Sequence, residues 1–364
     1  MKIVYVAPIW GSSFEKGVIN KIEYQIKALE RLGNDVKLIT FYNVSQEYNP
    51  AGKNHITKKI YNYYKAVKRL IKAVKNEKPE YIYIRDVMWL FNIYSKLSKI
   101  APVFVEVQTD VLAEARNINK KRYLIEKLYK RSYLKNISGE ICITDEICKI
   151  ESKYNLKPSI FIGNGIDEEQ IKFIPKIDEN EFINIVLIGS PNIPWHGVDR
   201  LIKSYGEAPN REKIMLHIIG YDDNYEIRNS NIKFYGFIGE QEKIDRIFSM
   251  ADIGIGSLAF YYNKINQAAP LKIRHYLAKG LPVIISHDDV DLMENLPFVM
   301  KVPNDNSNID FLEVEKFYLN TRDIRRNGET VRFTLENLTW LNKMDRVCEF
   351  MNYTVKSIHV GDMK

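Results

Sequence analysis

A chain of 364 residues, 45% of them hydrophobic, is long enough for two ordinary domains and too apolar for global disorder. Its 53 Lys and Arg against 46 Asp and Glu leave a formal charge of +7, which favours an anionic partner: a nucleotide, a lipid surface or a nucleic acid. Cys142, Cys148 and Cys348 are too few and too scattered for a disulfide framework or a zinc site, and no apolar run reaches the roughly 18–20 residues of a membrane span.

Lys2 to Pro8 reads as a buried strand, and MKIVYVAPIW lacks the long apolar region of a signal peptide. With so little cysteine, a reducing cytoplasm is expected. A loop from Gly11 to Gly17 leads to a helix with Ile19, Ile22, Ile26 and Leu29 on one face, ended by Gly33, and then to a strand from Val36 to Phe41. This order opens a parallel α/β sheet, but G-x-G-x-x-G is absent, so it is not a dinucleotide fingerprint. Lys58 to Lys75 is a basic helix with Ile60, Tyr64, Val67, Ile71 and Val74 on one face. Tyr81 to Ile84 and Val103 to Val107 are strands. The second of them puts Glu106 and Asp110 at or just past a strand end, where ligands gather in open α/β sheets.

Arg116 to Lys135 is a second basic helical stretch. Leu124, Ile125, Leu128 and Tyr129 form its apolar stripe, surrounded by Lys120, Lys121, Arg122, Lys127, Lys130, Arg131 and Lys135, and Glu126 is its one acid. Two readings stand: a solvated outer face, or a surface that meets an anionic membrane. Glu140 to Thr144, Ser159 to Ile162 and the helix from Asp145 to Tyr154 follow, and Asn164-Gly165 is a tight turn. The linker is expected to run from there to Glu179.

The second half opens with a strand from Ile183 to Ile188, then Gly189, Ser190 and Pro194-Trp195-His196-Gly197. His196 stands where a helix begins; it can donate to a phosphate there or be an ordinary turn histidine. Met215 to Ile219, Ile232 to Tyr235 and Ile253 to Ile255 are strands, the last leading through Gly256 to Ser257. Pro270 to Ser286 reads PLKIRHYLAKGLPVIIS, a helix with Pro270 at its first position, a left-handed Gly280 and a buried strand at Val283 to Ile285. An uncapped helix start beside Lys272, with no carboxylate near in sequence, suits an anion; a capped surface helix is the alternative. Asp289-Val290-Asp291 and Asp222-Asp223 could hold a cation against a diphosphate, but read as surface loops with structural or solvent roles.

PLKIRHYLAKGLPVI resembles the donor-binding segment of nucleotide-sugar glycosyltransferases of the GT-B fold, above all the retaining family 4. Met1–Gly17, Ile141–Asp167, Ile183–Leu201 and Trp340–Tyr353 resemble further stretches of that family in the same order. The resemblance implies an α/β protein of two Rossmann-like domains facing a cleft. Residues 1–170, with a last helix 341–364 crossing back at Trp340, would hold the acceptor; residues 171–340 would bind the donor. The donor site would contain Gly189, Ser190, His196, Gly220, Ser257, Gln267, Leu271, Lys272 and His275. Gly11, Ser12 and Asn20 would face the acceptor, and Glu106, Asp110 or His196 would serve catalysis. Alignment on Gly280 puts Gln267 and His275 where the family usually has two glutamates, so neither position supplies a fixed negative charge. The implied reaction is transfer from a nucleotide sugar to a saccharide or lipid-linked acceptor, in cell-surface polysaccharide or glycoconjugate synthesis. No cofactor, metal or nucleic acid is expected, and an anionic membrane would meet Arg116–Lys135. A non-catalytic homologue that partners another glycosyltransferase is the alternative.

Overall fold

Parallel strands covered on both faces require short, continuous apolar runs, and the sequence supplies two sets of them. The computed structural model of the protein describes residues 1–10, 16–44, 56–87, 92–177, 181–191, 193–222, 230–292 and 295–361. The first set of runs forms β1 (Lys2–Ala7), β2 (Asp35–Thr40), β3 (Tyr81–Arg85), β4 (Val103–Val107), β5 (Gly139–Cys142) and β6 (Ser159–Phe161). The second forms β7 (Ile183–Ile188), β8 (Ile214–Ile219), β9 (Ile232–Phe234), β10 (Ile253–Ile255), β12 (Val283–Ile285) and β14 (Val299–Lys301), with a separate two-strand ladder of β11 (Gln267–Ala268) and β13 (Asp288–Asp289). The orders are β2-β1-β3-β4-β5-β6 and β14-β12-β10-β7-β8-β9, and every pairing is parallel.

The chain divides into two compact units, Met1–Ile162 with Trp340–Lys364, and Gly163–Thr339. The division precedes the turn at Asn164 instead of following it. Asn164 Nδ2 donates to the Ala269 carbonyl at 2.8 Å and the Ile166 N–H to Leu338 at 2.9 Å, so this turn is held by the second unit.

The helices of the first unit are α1 (Lys16–Arg31), α2 (Phe41–Val44), α3 (Ile56–Glu77), α4 (Ile93–Leu97), α5 (Val111–Ile118), α6 (Lys120–Leu134), α7 (Asp145–Glu151) and the last, α13 (Trp340–Gly361). Those of the second are α8 (Val198–Glu207), α9 (Gln241–Met250), α10 (Leu271–Ala278), α11 (Phe311–Asn327) and α12 (Glu329–Asn337). Alternation along β1 sends Val4 and Val6 to one face, against Val67, Leu70 and Val74 of α3. Ile3 and Tyr5 go to the other, against Ile22 and Leu29 of α1 and Met344, Val347 and Met351 of α13. Among the described residues no helix is long and apolar enough to cross a membrane.

The basic stretch from Arg116 to Lys135 is not one helix. Asn119 is extended, with φ −170 and ψ 157, and its side chain caps α6 by accepting from the Arg122 N–H at 2.8 Å. The apolar stripe also faces the other way from an ordinary amphipathic helix. Glu126 and Lys130 are buried, whereas Leu124 is 55% and Leu128 74% exposed. Lys130 Nζ lies 2.6 Å from Glu151 Oε1 and 4.9 Å from the Tyr154 ring, and Tyr133 donates to Glu126 at 3.2 Å. Lys130, expected on the solvent side, is therefore part of the interior.

A neighbouring buried carboxylate gives a pH-dependent stability. Glu140 on β5 is buried and its Oε1 has no hydrogen-bond partner. Burial, with Glu151 nearby, pushes its pKa up to about 8 from 4.5. Between those values the folded chain keeps a proton that the unfolded chain releases, so stability falls as pH rises through that window. Glu140→Gln is expected to melt with the parent protein near about pH 5 and several degrees above it near about pH 8.5. Thermal melts at the two pH values measure this; equal melting at the higher one would contradict it.

Candidate functional site

In the second unit β7 and β8 end side by side, and the two residues that follow them must be small. A Cβ on Gly220 would lie 2.0 Å from the Gly189 carbonyl oxygen, and Gly220 takes φ +91, which favours glycine. A Cβ on Gly189 would lie 2.6 Å from the Tyr221 ring and 2.7 Å from His196 Nδ1. The two glycines therefore let Tyr221 and His196 close over the end of β7.

His196 ends a single 3-10 turn, Pro194–His196, just before α8. The Ser190 N–H donates to its Nδ1 at 3.1 Å, and the Tyr221 hydroxyl lies 3.0 Å from the same nitrogen. A backbone N–H can only donate, so the neutral ring carries its proton on Nε2. Burial, helped by the charge of Lys272, lowers the His196 pKa to about 4. Near neutral pH this side chain is a neutral donor through Nε2, not a cation.

The helix expected after Pro270 is present as α10, with one adjustment: Pro270 is the residue before the first turn, at φ −68 and ψ 136, and Leu271 is the first helical residue. No side chain caps this helix. Its inner face is locked down. A Cβ on Gly254 of β10 would meet the Tyr276 ring at 2.5 Å, and the Tyr276 hydroxyl accepts from the Ile188 N–H at 2.7 Å. Gly280 then leaves the helix at φ +95, and β12 follows.

Lys272 stands in the first turn of α10. Its Nζ is sealed from solvent and has no hydrogen-bond partner. Burial lowers its pKa from 10.5 to about 7. An unpaired ammonium at an uncapped helix start is costly in the free protein and suited to receive an anion.

Of the other expected donor residues, Ser257 is buried, and its carbonyl accepts from Ser286 Oγ at 3.1 Å. Leu271 is 46% exposed. Gln267 is half-buried and pairs in register with Asp288 in the β11–β13 ladder. The His275 ring meets Phe248 edge-on at 5.2 Å between centroids, with Nε2 3.4 Å from Gln241 Nε2. Burial, with Lys279 nearby, lowers its pKa to about 4. Tyr221 and Tyr276 were not anticipated. Tyr276 shares one helix face with Ile273 and Leu277 by spacing, and its hydroxyl's partner is a backbone group that no side-chain pattern marks.

The sequence matches no protein-family model and no curated protein. Solved structures do match it. Sucrose-phosphate synthase from Thermosynechococcus elongatus aligns over 98% of this chain and 100% of its own, at 14% identity and a TM-score of 0.66. A glycosyltransferase from Rickettsia africae covers 98% of both chains at 16% identity and 0.64. Anabaena HepE, in complex with UDP, covers 97% and 100% at 13% identity and 0.62. The chain has the GT-B glycosyltransferase fold.

Within the first unit of this GT-B chain, the expected catalytic carboxylates hold structural positions. Glu106 is 3% exposed. Its oxygens lie 3.3 Å from Lys21 Nζ and 3.6 Å from Arg85, and accept from Gln25 at 2.6 Å and from Tyr5 at 3.4 Å. Burial would raise its pKa, but Lys21 and Arg85 together outweigh that and hold it below the usual value. A carboxylate so enclosed is a poor general base. Asp110 caps α5, accepting from Leu112 N–H at 2.9 Å and Ala113 N–H at 3.1 Å. Asn20 lies exposed on α1, while Gly11 and Ser12 lie outside the described residues.

The D-x-D is not a surface loop. Asp289 is fully buried; both its oxygens and one of Asp291's accept from the Arg274 guanidinium, so the arginine takes the place a cation would fill. Asp222 lies beside Gly236, and Asp223 lies outside the described residues. Among the described residues no group of three His, Cys, Asp or Glu is placed to hold a metal.

Proposed function

We propose that this protein is a glycosyltransferase that takes a nucleotide sugar as donor and a saccharide or lipid-linked saccharide as acceptor. It works without a metal, in cell-surface polysaccharide or glycoconjugate synthesis, as a peripheral protein on the cytoplasmic face of a membrane. The observation that carries the reading is the sealed, unpartnered Nζ of Lys272 at the uncapped start of α10. A diphosphate would give that ammonium its counter-ion, and the UDP bound to Anabaena HepE is a ligand of this class.

When the bond from the sugar's anomeric carbon to the diphosphate breaks, negative charge grows on the departing oxygen. Lys272, the helix start and His196 Nε2–H would stabilise it. Gln267 and His275 keep their places along the donor in this reading, as hydrogen-bonding groups instead of carboxylates. Glu106 is enclosed by its partners, whereas Asp110 caps α5 through Oδ1 alone and stays the candidate base for the acceptor hydroxyl. The acceptor oxygen bonds the anomeric carbon as the diphosphate leaves, its proton passes to that base, and rate enhancement comes from positioning and leaving-group stabilisation.

A thermal-shift panel of UDP, GDP, UDP-sugars and GDP-sugars tests this. One nucleotide class is expected to stabilise the protein, by about 2.7 kcal/mol at a hundred times its Kd. A flat panel across all of them would overturn the donor assignment and leave the partner-protein alternative.

A further inference from the structure

The outward face of α6 is built backwards for a soluble helix. Lys121, Leu124, Leu128 and Lys135 follow one another at steps of three, four and seven residues, so they form one ridge. All four are exposed, and Leu128, at 74%, stands at the middle of that ridge. Ile125 at 37% and Tyr129 at 48% widen the apolar strip on one side. Lys120, Lys127 and Arg131, all exposed, flank it on the other. Arg116 and Lys127 bracket the Tyr123 ring at 4.9 and 5.8 Å, which extends the basic border toward α5. The one acid in the stretch, Glu126, points inward and is buried. Burying the charged pair residues and exposing the leucines has no benefit for folding: the interior receives Lys130 and Glu126, and water receives Leu124 and Leu128.

We infer that the outward face of α6 is the surface by which this protein docks on an anionic lipid membrane. The leucines enter the acyl boundary, and the lysines and arginine reach the headgroups from the rim of the strip. Charge complementarity selects this occupant. A second copy of the same face would oppose Lys120, Lys121, Lys127, Arg131 and Lys135 to themselves with no exposed acid between them. A nucleic acid would satisfy the cations but leave Leu124 and Leu128 against a charged backbone. The inference rests on the peripheral-membrane part of the reading above and is independent of the reaction.

Flotation with phosphatidylcholine vesicles, with and without about a third phosphatidylglycerol, tests it. The full chain is expected to float with the anionic vesicles only, and less so as salt rises. Lys120→Glu, Lys121→Glu and Lys127→Glu together should lower the partition coefficient on the order of a hundredfold, about fivefold per cation lost. Leu124→Ser with Leu128→Ser should lower it by about tenfold or more. These side chains are exposed, so the variants keep the fold, and a control that reverses Lys213, Lys243 and Lys316 of the second unit should float normally. Leu128→Trp should show a blue shift in emission on adding anionic vesicles beyond that of the parent. No flotation, equal flotation with neutral vesicles, or flotation unchanged in the triple variant would overturn the inference. So would a concentration-dependent dimer abolished by Leu128→Ser, which would assign the face to a second copy. A flat nucleotide panel with flotation intact would remove the reaction and leave the docking surface standing.

Discussion

Lys272→Met is expected to raise the melting temperature of the free protein while it weakens nucleotide-sugar binding by roughly 1–3 kcal/mol. The two effects share one cause. In the free protein the Lys272 ammonium is sealed without a partner, and its pKa falls from 10.5 to about 7. The unfolded chain keeps that proton up to its ordinary pKa, so from about pH 7 to 10.5 the unfolded state binds more protons and stability rises with pH. Below that window the full cost of the buried charge is present, on the order of a few kcal/mol, and methionine fills the same space without it. Binding reverses the balance, because a diphosphate restores the charge that burial suppressed. Affinity should therefore be greatest below about pH 7 and fall by up to tenfold per unit above it, as proton uptake becomes part of binding. A nucleotide sugar is the right probe, since its diphosphate is a diester with no second phosphate ionisation to confuse the profile. Melts of the free variant and titrations across the pH range measure both. A variant that melts lower and binds as well as the parent would remove Lys272 from the site.

Four strand runs were legible because each is short, apolar and has a glycine or proline directly at one end, a pattern that parallel burial leaves in a sequence. Val103–Val107, Ile183–Ile188, Ile253–Ile255 and Val283–Ile285 are strands at the expected bounds. The uncapped start of α10 was legible too, since Pro270 and the absence of a Ser, Thr, Asp or Asn before Leu271 are local facts. Polar partners were not legible. Glu106 stands at a strand end, where ligands gather, but its cations come from α1 and β3, through Lys21 and Arg85. The D-x-D had the spacing of a metal site, and only the fold reveals that Arg274 enters it from the preceding helix. In α6 periodicity identified the apolar stripe and left its direction open, and the fold turns it outward. A stripe says which residues share a face, not which face meets the core.

Loss of Arg274 is expected to be the most damaging change in the second unit. Its guanidinium is fully buried and held on every side. It donates to both oxygens of Asp289 and to Asp291, and its Nε donates to the Asn164 carbonyl at 2.8 Å. The helix that carries Lys272 is thereby tied to the β13 end and to the turn at Asn164. Arg274→Met leaves Asp289 as a buried carboxylate with no cation, which should cost about 3–5 kcal/mol. Arg274→Lys should recover only part of this, because an ammonium cannot reproduce the planar fork that meets both oxygens of Asp289 while Nε reaches the backbone. Arg274→Met combined with Asp289→Asn and Asp291→Asn removes the unpaired charges and should be more stable than Arg274→Met alone, although each amide keeps hydrogen-bonding groups in the interior. Denaturant midpoints of the four proteins measure the series. If Arg274→Met unfolds with the parent, the buried cluster does not hold α10. If the triple variant is no better than the single one, the damage lies in the lost contact with Asn164 and not in the stranded carboxylates.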